Sequence, residues 1–316
     1  MSVVLESTKR VVDQSEHVSI DEERIEDIAK QLASGEKRHW LDTAPFDISS
    51  LNEMERLHFI LLLDSISFSY WDDPKWNVEH AGKQIDGAYA LIAALGNAIN
   101  KGIPLTNPAY LAHLSENDLL KILEGENAIP LFYERLDILR RVGRIIETDF
   151  KGSLINFILS GKSADELLRK ILETFPFFQD GSEYKGEKVY FYKRAQLLIA
   201  DIFQKVEKTR SAIGNIDDLT ACADYKLPQM LRKWGALRYS RELSARIHSQ
   251  KEIPSGDPME IEIRANTIWA VEKIKNVMKQ NDASIRAVDV NDSIWLASQN
   301  KTPNDEPYHR TRTTKY

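Results

Sequence analysis

Apolar residues along this chain recur every three or four positions far more often than every second one, the spacing of amphipathic helices rather than of half-buried strands. In ISSLNEMERLHFILLLDSISFSYW, Ser50 followed three residues later by Glu53 marks a helix start, and Leu57, Ile60, Leu61 and Asp64 follow at helical spacing. GKQIDGAYALIAALGNAINKG puts Ile85, Tyr89, Ile92 and Ala93 on one stripe and stops near Gly102 and Pro104. Ser115 and Ser163, each just ahead of acidic residues, open two further helices, and PLFYERLDILRRVGRII supplies another. MEIEIRANTIWAVEKIKNVMKQN carries Ile263, Thr267, Ala270, Val271 and Ile274 on one face. Pro and Gly clusters at 72–82, 102–108, 176–186 and 253–258 are too short and too little biased for flexible linkers and read as helix connections. The pattern predicts an all-α fold, with residues 21–316 as one compact helical domain and residues 1–20 loosely held.

One stretch is odd for a core helix. GEKVYFYKRAQLLIAD, residues 186–201, places Tyr190, Phe191, Tyr192, Lys193 and Arg194 directly ahead of an apolar helical run. Flat surfaces and positive charges gathered at a helix start suit a planar or anionic ligand, although helical geometry must turn at least one of the three rings into the core.

Composition narrows the classes. Hydrophobic content of 42% and charged content of 28% fit a soluble globular protein. No apolar run approaches the roughly 20 residues of a membrane span, and the N-terminus lacks the order of a secretory signal, so a cytoplasmic protein with no membrane association is expected. A formal charge of −6 argues against stable binding to duplex nucleic acid, where cationic surface supplies most of the affinity. The lone Cys222 rules out an intrachain disulfide and a four-cysteine zinc site, in keeping with a reducing compartment. The histidines show no metal-binding spacing, and no phosphate-binding, dinucleotide-binding or nucleophile-elbow motif occurs. No metal and no cofactor is expected.

Four segments combine polar groups with apolar or aromatic surroundings. Asp64 follows three leucines, where it either braces a neighbouring helix or stands as a desolvated site carboxylate. Asp224, in DDLTACADYKLPQ, lies in the approach to a helix whose first turn accommodates Pro228; on pattern alone it is a turn aspartate. Asp289, Asn291 and Asp292 stand beside Trp295, where they bracket a hydrogen-bonding ligand or finish a turn. The tail PYHRTRTTKY gathers His309, Arg310 and Arg312 and reads as solvated, but ends in aromatic Tyr316.

LLLDSISFSYW, YFYKRAQLLIAD, LTACADYKLPQMLRKWGALRYS, EIEIRANTIWAVE and PYHRTRTTKY occur in an order and spacing that resembles the queuosine salvage proteins, over roughly residues 40–316. The resemblance implies a compact multi-helix fold like that of helical DNA glycosylases. It also implies hydrolysis of the N-glycosidic bond of queuosine 5′-phosphate, releasing queuine and ribose 5-phosphate for salvage into tRNA modification. Asp224 matches the family's catalytic aspartate, as nucleophile or electrostatic stabiliser. Asp64, Tyr190, Phe191, Lys193, Cys222, Ala223, Asn291, Asp292 and Trp295 are the expected substrate contacts, with Lys193 set against the 5′-phosphate.

The chain also departs from the family pattern. An aspartate expected four residues before Trp295 is Asn291 here, with Asp292 adjacent, so either residue is left as the base contact. A histidine that the resemblance places upstream of LLLDSISFSYW would fall near Pro45, where the chain has none. The competing readings are a DNA or RNA glycosylase, for which a broad cationic face is needed, and a non-catalytic queuine-binding helical protein, which has no need of Asp224.

Overall fold

Tyr184 and Glu187 are joined by Lys185 and Gly186 at φ of +50° and +84°, the left-handed pair that closes a two-residue hairpin. That hairpin opens the odd aromatic stretch, so its first residues are strand and not helix. In the computed structural model, which describes residues 2–210, 212–302 and 305–316, helices dominate. They begin with α1 (Val3–Asp13), β1 (Val18–Ile20), α2 (Glu22–Ala33), α3 (Glu53–Ser65), β2 (Asn77–His80), β3 (Lys83–Asp86), α4 (Gly87–Asn100), α5 (Pro108–Ala112), α6 (Glu116–Ile122) and α7 (Phe132–Phe150). There follow α8 (Ile155–Leu159), α9 (Ala164–Thr174), β4 (Gly181–Tyr184), β5 (Glu187–Tyr190), α10 (Lys193–Lys205), α11 (Glu207–Arg210), α12 (Lys226–Lys233), β6 (Leu237–Tyr239), α13 (Arg241–His248), α14 (Pro258–Met278) and α15 (Ala287–Ala297). The all-α expectation is therefore corrected to a mostly helical fold with three short antiparallel pairs, β1 with β6, β2 with β3 and β4 with β5. Each strand has three or four residues, too few to register as alternation in the sequence.

The chain falls into two compact units: residues up to Trp40 with Asp180–Gln196 and Asp217–Tyr316, and Leu41–Gln179 with Leu197–Ile216. In the first, α14 is the central element. Asp257 caps it by accepting from Met259 N at 2.9 Å, with Pro258 in the first turn, where no N–H is missed. It is buried on nearly every side, including Ile261, Ile263, Ala265, Ile268 and Ile274, and even its charged residues Glu260, Glu262 and Arg264 are enclosed. Residues 3–20, read above as loosely held, pack instead: α1 buries Val4 and Val11, and β1 pairs Val18 with Tyr239. Glu262 Oε2 accepts the backbone N–H groups of Glu16, His17 and Val18 at 3.0, 2.6 and 3.1 Å. That clamp is possible only because α14 and residue 16 meet in space, 246 positions apart in sequence.

In the second unit the cap of α3 lies two residues beyond its sequence signal, at Asn52 and not Ser50. Asn52 and Glu55 exchange the two bonds of a capping box at 3.0 Å each, while Ser50 ends a short 3-10 turn. Likewise Ile85 belongs to β3, and the helix that follows it begins at Gly87. Arg135, buried in α7, donates to the carbonyls of Ile66, Phe68, Ser69 and Pro130 and so satisfies the irregular stretch after α3. A side chain at Gly143 would meet backbone of α5 within 2.2 Å, so only glycine lets α5 and α7 lie this close.

Candidate functional site

Residues Leu219–Tyr225 form no regular element yet are buried, so their backbone groups need partners from elsewhere. Side chains from three helices supply them. Gln196 Oε1 accepts from Thr220 N at 2.9 Å, and Thr220 Oγ1 donates to Glu272 at 2.6 Å. Asn291 Oδ1 accepts from Cys222 N at 2.9 Å, and Arg264 Nε donates to the carbonyl of Ala223 at 3.1 Å. The lone Cys222 is buried in this segment.

Asp224 ends the segment. Its Oδ1 accepts from Lys226 N at 2.7 Å and Leu227 N at 3.0 Å, the first free donors of α12. Pro228 follows in the first turn of that helix. The other carboxylate oxygen has no hydrogen-bond partner among the described residues, and the residue as a whole is 9% exposed. One oxygen is thus fixed by the backbone, and the second is not committed to any donor of the fold.

In the aromatic-basic stretch, the chain turns out of β5 through Phe191 and Tyr192 into α10. Asp180 organises the turn: its carbonyl accepts from Phe191 N at 2.9 Å and its Oδ2 from Lys193 N at 3.1 Å. Tyr192 takes a φ of +51°, uncommon for an aromatic residue, and its ring stacks on Tyr190 with centroids 5.4 Å apart. Burial, with Tyr190 and Asp180 adding to it, pushes the Tyr192 phenol up to about 12, so it stays neutral. Phe191 turns the opposite way, into the core. Lys193, at the first position of α10, is 7% exposed.

A third cluster sits on α15, where Asn291 and Trp295 are one turn apart; the stretch read above as a turn or a ligand bracket is a helix, with Asp289 in its capping box. Asn291 has its oxygen on Cys222 and its amide on Asp292 Oδ1 at 3.2 Å. Asp292 Oδ2 lies 3.4 Å from Trp40 N and 3.8 Å from His39 Nε2, and the Trp40 ring meets Trp295 edge-on at 5.4 Å. His39 and Trp40 were missed by the sequence reading. A histidine does reach this cluster, but from position 39, not from near Pro45. The available signal was the pair itself, a histidine beside a tryptophan in a stretch with no helical period.

Beneath these clusters Arg264 is fully enclosed. Its guanidinium meets Asp180 with two bonds, 2.9 Å to Oδ1 and 2.6 Å to Oδ2, and Glu260 at 3.4 Å. The Phe191 and Tyr316 rings cover it at 3.9 and 4.3 Å. Burial disfavours its charge, but Asp180 and then Glu260 outweigh that and leave its pKa above the ordinary arginine value. The tail is accordingly only partly solvated: Arg312 is exposed, but His309, Thr311 and Tyr316 are buried, and His309 Nε2 lies 3.2 Å from the Tyr316 hydroxyl. Burial, with repulsion from Arg264, pushes His309 down to about 3.

The first unit therefore holds Tyr190, Phe191, Lys193, Cys222, Ala223, Asp224, Asn291, Asp292 and Trp295. Hydrogen bonds run from Lys193 through Asp180 and Arg264 to Ala223, and from Cys222 through Asn291 to Asp292 and Trp40. Asp64 belongs to the second unit, buried at the end of α3 after Leu61, Leu62 and Leu63. Among the described residues no helix is long and apolar enough to cross a membrane.

A family model described as queuosine salvage protein matches residues 48–316. A queuosine 5′-phosphate N-glycosylase/hydrolase of Sphaerobacter thermophilus is 38% identical over 99% of this chain and 97% of its own length. Proteins of the same name from Mus musculus, 33% identical over 98% of each chain, and from Schizosaccharomyces pombe, 31% identical over 86% of this chain and 81% of the relative, are similar too.

Proposed function

We infer, from the premise that the chain belongs to the queuosine salvage protein family, that it is a hydrolase which cleaves the N-glycosidic bond of queuosine 5′-phosphate and releases queuine. The residue assignments below are our proposal, and the observation that carries them is the Asp224 carboxylate, anchored by one oxygen while the other has no hydrogen-bond partner among the described residues.

When the bond between C1′ and the base nitrogen breaks, its electron pair leaves with the base and positive charge builds on C1′ and the ring oxygen. A fixed carboxylate beside that carbon is attracted more strongly to the transition state than to the ground state. The two N–H groups on Asp224 Oδ1 hold the carboxylate without reorganisation at the moment of reaction. Queuine is a 7-deazapurine with carbon in place of N7, so protonation of N7 is closed to it. The leaving base must be met by donors at its other edges, and water completes the hydrolysis at C1′.

We assign Lys193, at the start of α10, to the 5′-phosphate, and the Tyr190–Tyr192 stack to a flat face of the ligand. Phe191 supports this end from the core side, not as a ligand face, because its ring lies under Arg264. At the base end, Asp292 with His39 and the Trp40–Trp295 pair carries recognition, whereas Asn291 is committed to Cys222 and Asp292. Cys222 and Ala223 line the approach through their backbone, and Asp64 is assigned to the base on the family resemblance alone. A cytoplasmic location, an architecture like that of helical DNA glycosylases and the absence of stable duplex binding belong to the same proposal.

The test is direct. Purified protein is incubated with queuosine, its 5′-phosphate, its 3′-phosphate and queuosine-containing tRNA, and free queuine is measured by mass spectrometry. Release from the 5′-phosphate at least about tenfold faster than from the others is expected, the effect of one charge-assisted contact. Release from tRNA alone would make the protein an RNA glycosylase, and binding of queuine with no release from any substrate would make it a carrier.

A further inference from the structure

Neither Arg264 nor Asp180 has a part in the chemistry just assigned, yet both are buried and they meet through two hydrogen bonds. A buried arginine–carboxylate pair is weak evidence for stability, since the desolvation of both charges offsets their attraction. Its contribution must be sought in what it holds in place. Arg264 Nε bonds the carbonyl of Ala223, the peptide immediately before Asp224, at 3.1 Å. Its NH2 bonds Asp180 Oδ2 at 2.6 Å, and that same oxygen accepts from Lys193 N at 3.1 Å. The guanidinium also packs on the rings of Phe191, two residues before Lys193, and Tyr316. Arg264 and Asp180 together therefore tie the peptide that bears Asp224 to the peptide that bears Lys193. Lysine could not replace Arg264, because an ammonium offers no fixed fork and no face for two rings.

We propose that Arg264, with Asp180, is a positioning pair that sets the Lys193 end of the site against the Asp224 end, so that holding the 5′-phosphate brings C1′ to the carboxylate. The inference rests on the assignment of Asp224 and Lys193 above. Binding a phosphate remotely raises turnover only when the anchor and the reacting group are rigidly related; otherwise the binding energy lowers KM and is not expressed in kcat. The pair supplies that rigidity in a segment, Leu219–Tyr225, that has no secondary structure of its own.

The experiment compares wild type, Arg264→Lys and Asp180→Asn on queuosine 5′-phosphate and on unphosphorylated queuosine, with Asp224→Asn as control. Misplacement by about 1 Å costs roughly 100-fold, so kcat on the 5′-phosphate should fall about 10- to 100-fold in Arg264→Lys. KM should stay within about threefold, and the loss on queuosine, which has no anchored phosphate to misalign, should be distinctly smaller. An unchanged kcat in a folded variant, or equal losses on the two substrates, overturns the coupling. Should Arg264→Lys not fold, Asp180→Asn decides by the same ratio, since asparagine keeps the shape of the carboxylate and loses its charge. Wild type without turnover, or a fully active Asp224→Asn, removes the underlying assignment instead, which separates the two failures.

Discussion

Replacing Asp224 by asparagine separates the cap that it makes on α12 from the catalytic role proposed for it. The carboxylate caps α12 through one oxygen, and the other has no hydrogen-bond partner among the described residues. Asparagine is as good a cap as aspartate, and its carbonyl can keep both bonds, so the loss of stability should stay below about 1 kcal/mol. Alanine at the same position abandons both N–H groups and should cost up to about 2 kcal/mol. Catalysis does not follow that order. Either substitution removes the negative charge opposite C1′, and loss of one preorganised electrostatic group lowers turnover roughly 100- to 1000-fold, about 2.7 to 4 kcal/mol of barrier. Stability should therefore rank wild type, Asn, Ala, with Asn close to wild type, while activity drops equally in both variants. Urea unfolding measures the first and queuine release by mass spectrometry the second. Turnover within tenfold of wild type in the asparagine variant would refute the catalytic assignment, and an asparagine variant as unstable as alanine would refute the capping geometry.

Lys193→Met keeps much of the side chain's length and deletes its charge; KM for the 5′-phosphate should rise and the preference over queuosine fall by about one to two orders of magnitude, measured as the ratio of kcat/KM at fixed ionic strength. An unchanged ratio moves phosphate recognition elsewhere. Asn291→Ala strands the buried Cys222 N–H and should cost about 1 to 3 kcal/mol in urea unfolding, whereas Asp292→Ala and Asp64→Ala should instead weaken queuine binding in calorimetry; the reverse assignment of effects would refute the division. His309, pushed by burial and Arg264 from 6.5 to about 3, is neutral when folded and protonated when unfolded between those values. The unfolded state then binds one more proton, so stability from this group is intact above about pH 6.5 and falls as pH drops toward 3, by about 1.4 kcal/mol per unit. His309→Gln should flatten that part of the urea-unfolding pH profile, and parallel profiles for the two proteins would refute it.

The helical character of the chain was legible because burial of one face imposes a period on the sequence, as along Leu57, Ile60 and Leu61 or Ile263, Ala270 and Ile274. Helix starts at Ser115 and Ser163 were equally legible, since a cap is a bond between neighbours, here to Asp118 N and Glu166 N. The short strands were not: β5 pairs with β4 through four residues, and its Tyr190 looks like the first turn of the helix that begins three residues later. Nor could the packing of residues 3–20 be read, because it depends on Glu262, far away in the chain. At the site, local sequence placed Asp224 ahead of a helix and Lys193 at the start of another, both matters of a few adjacent residues. That His39 meets Asp292, that Asn291 holds Cys222, that Phe191 faces inward and that Arg264 joins Ala223 to Asp180 are relations between residues 41 to 253 positions apart. Sequence carries the propensities of neighbours along the chain; which distant polar groups end as partners is decided only when the packed core leaves each buried donor few acceptors within reach.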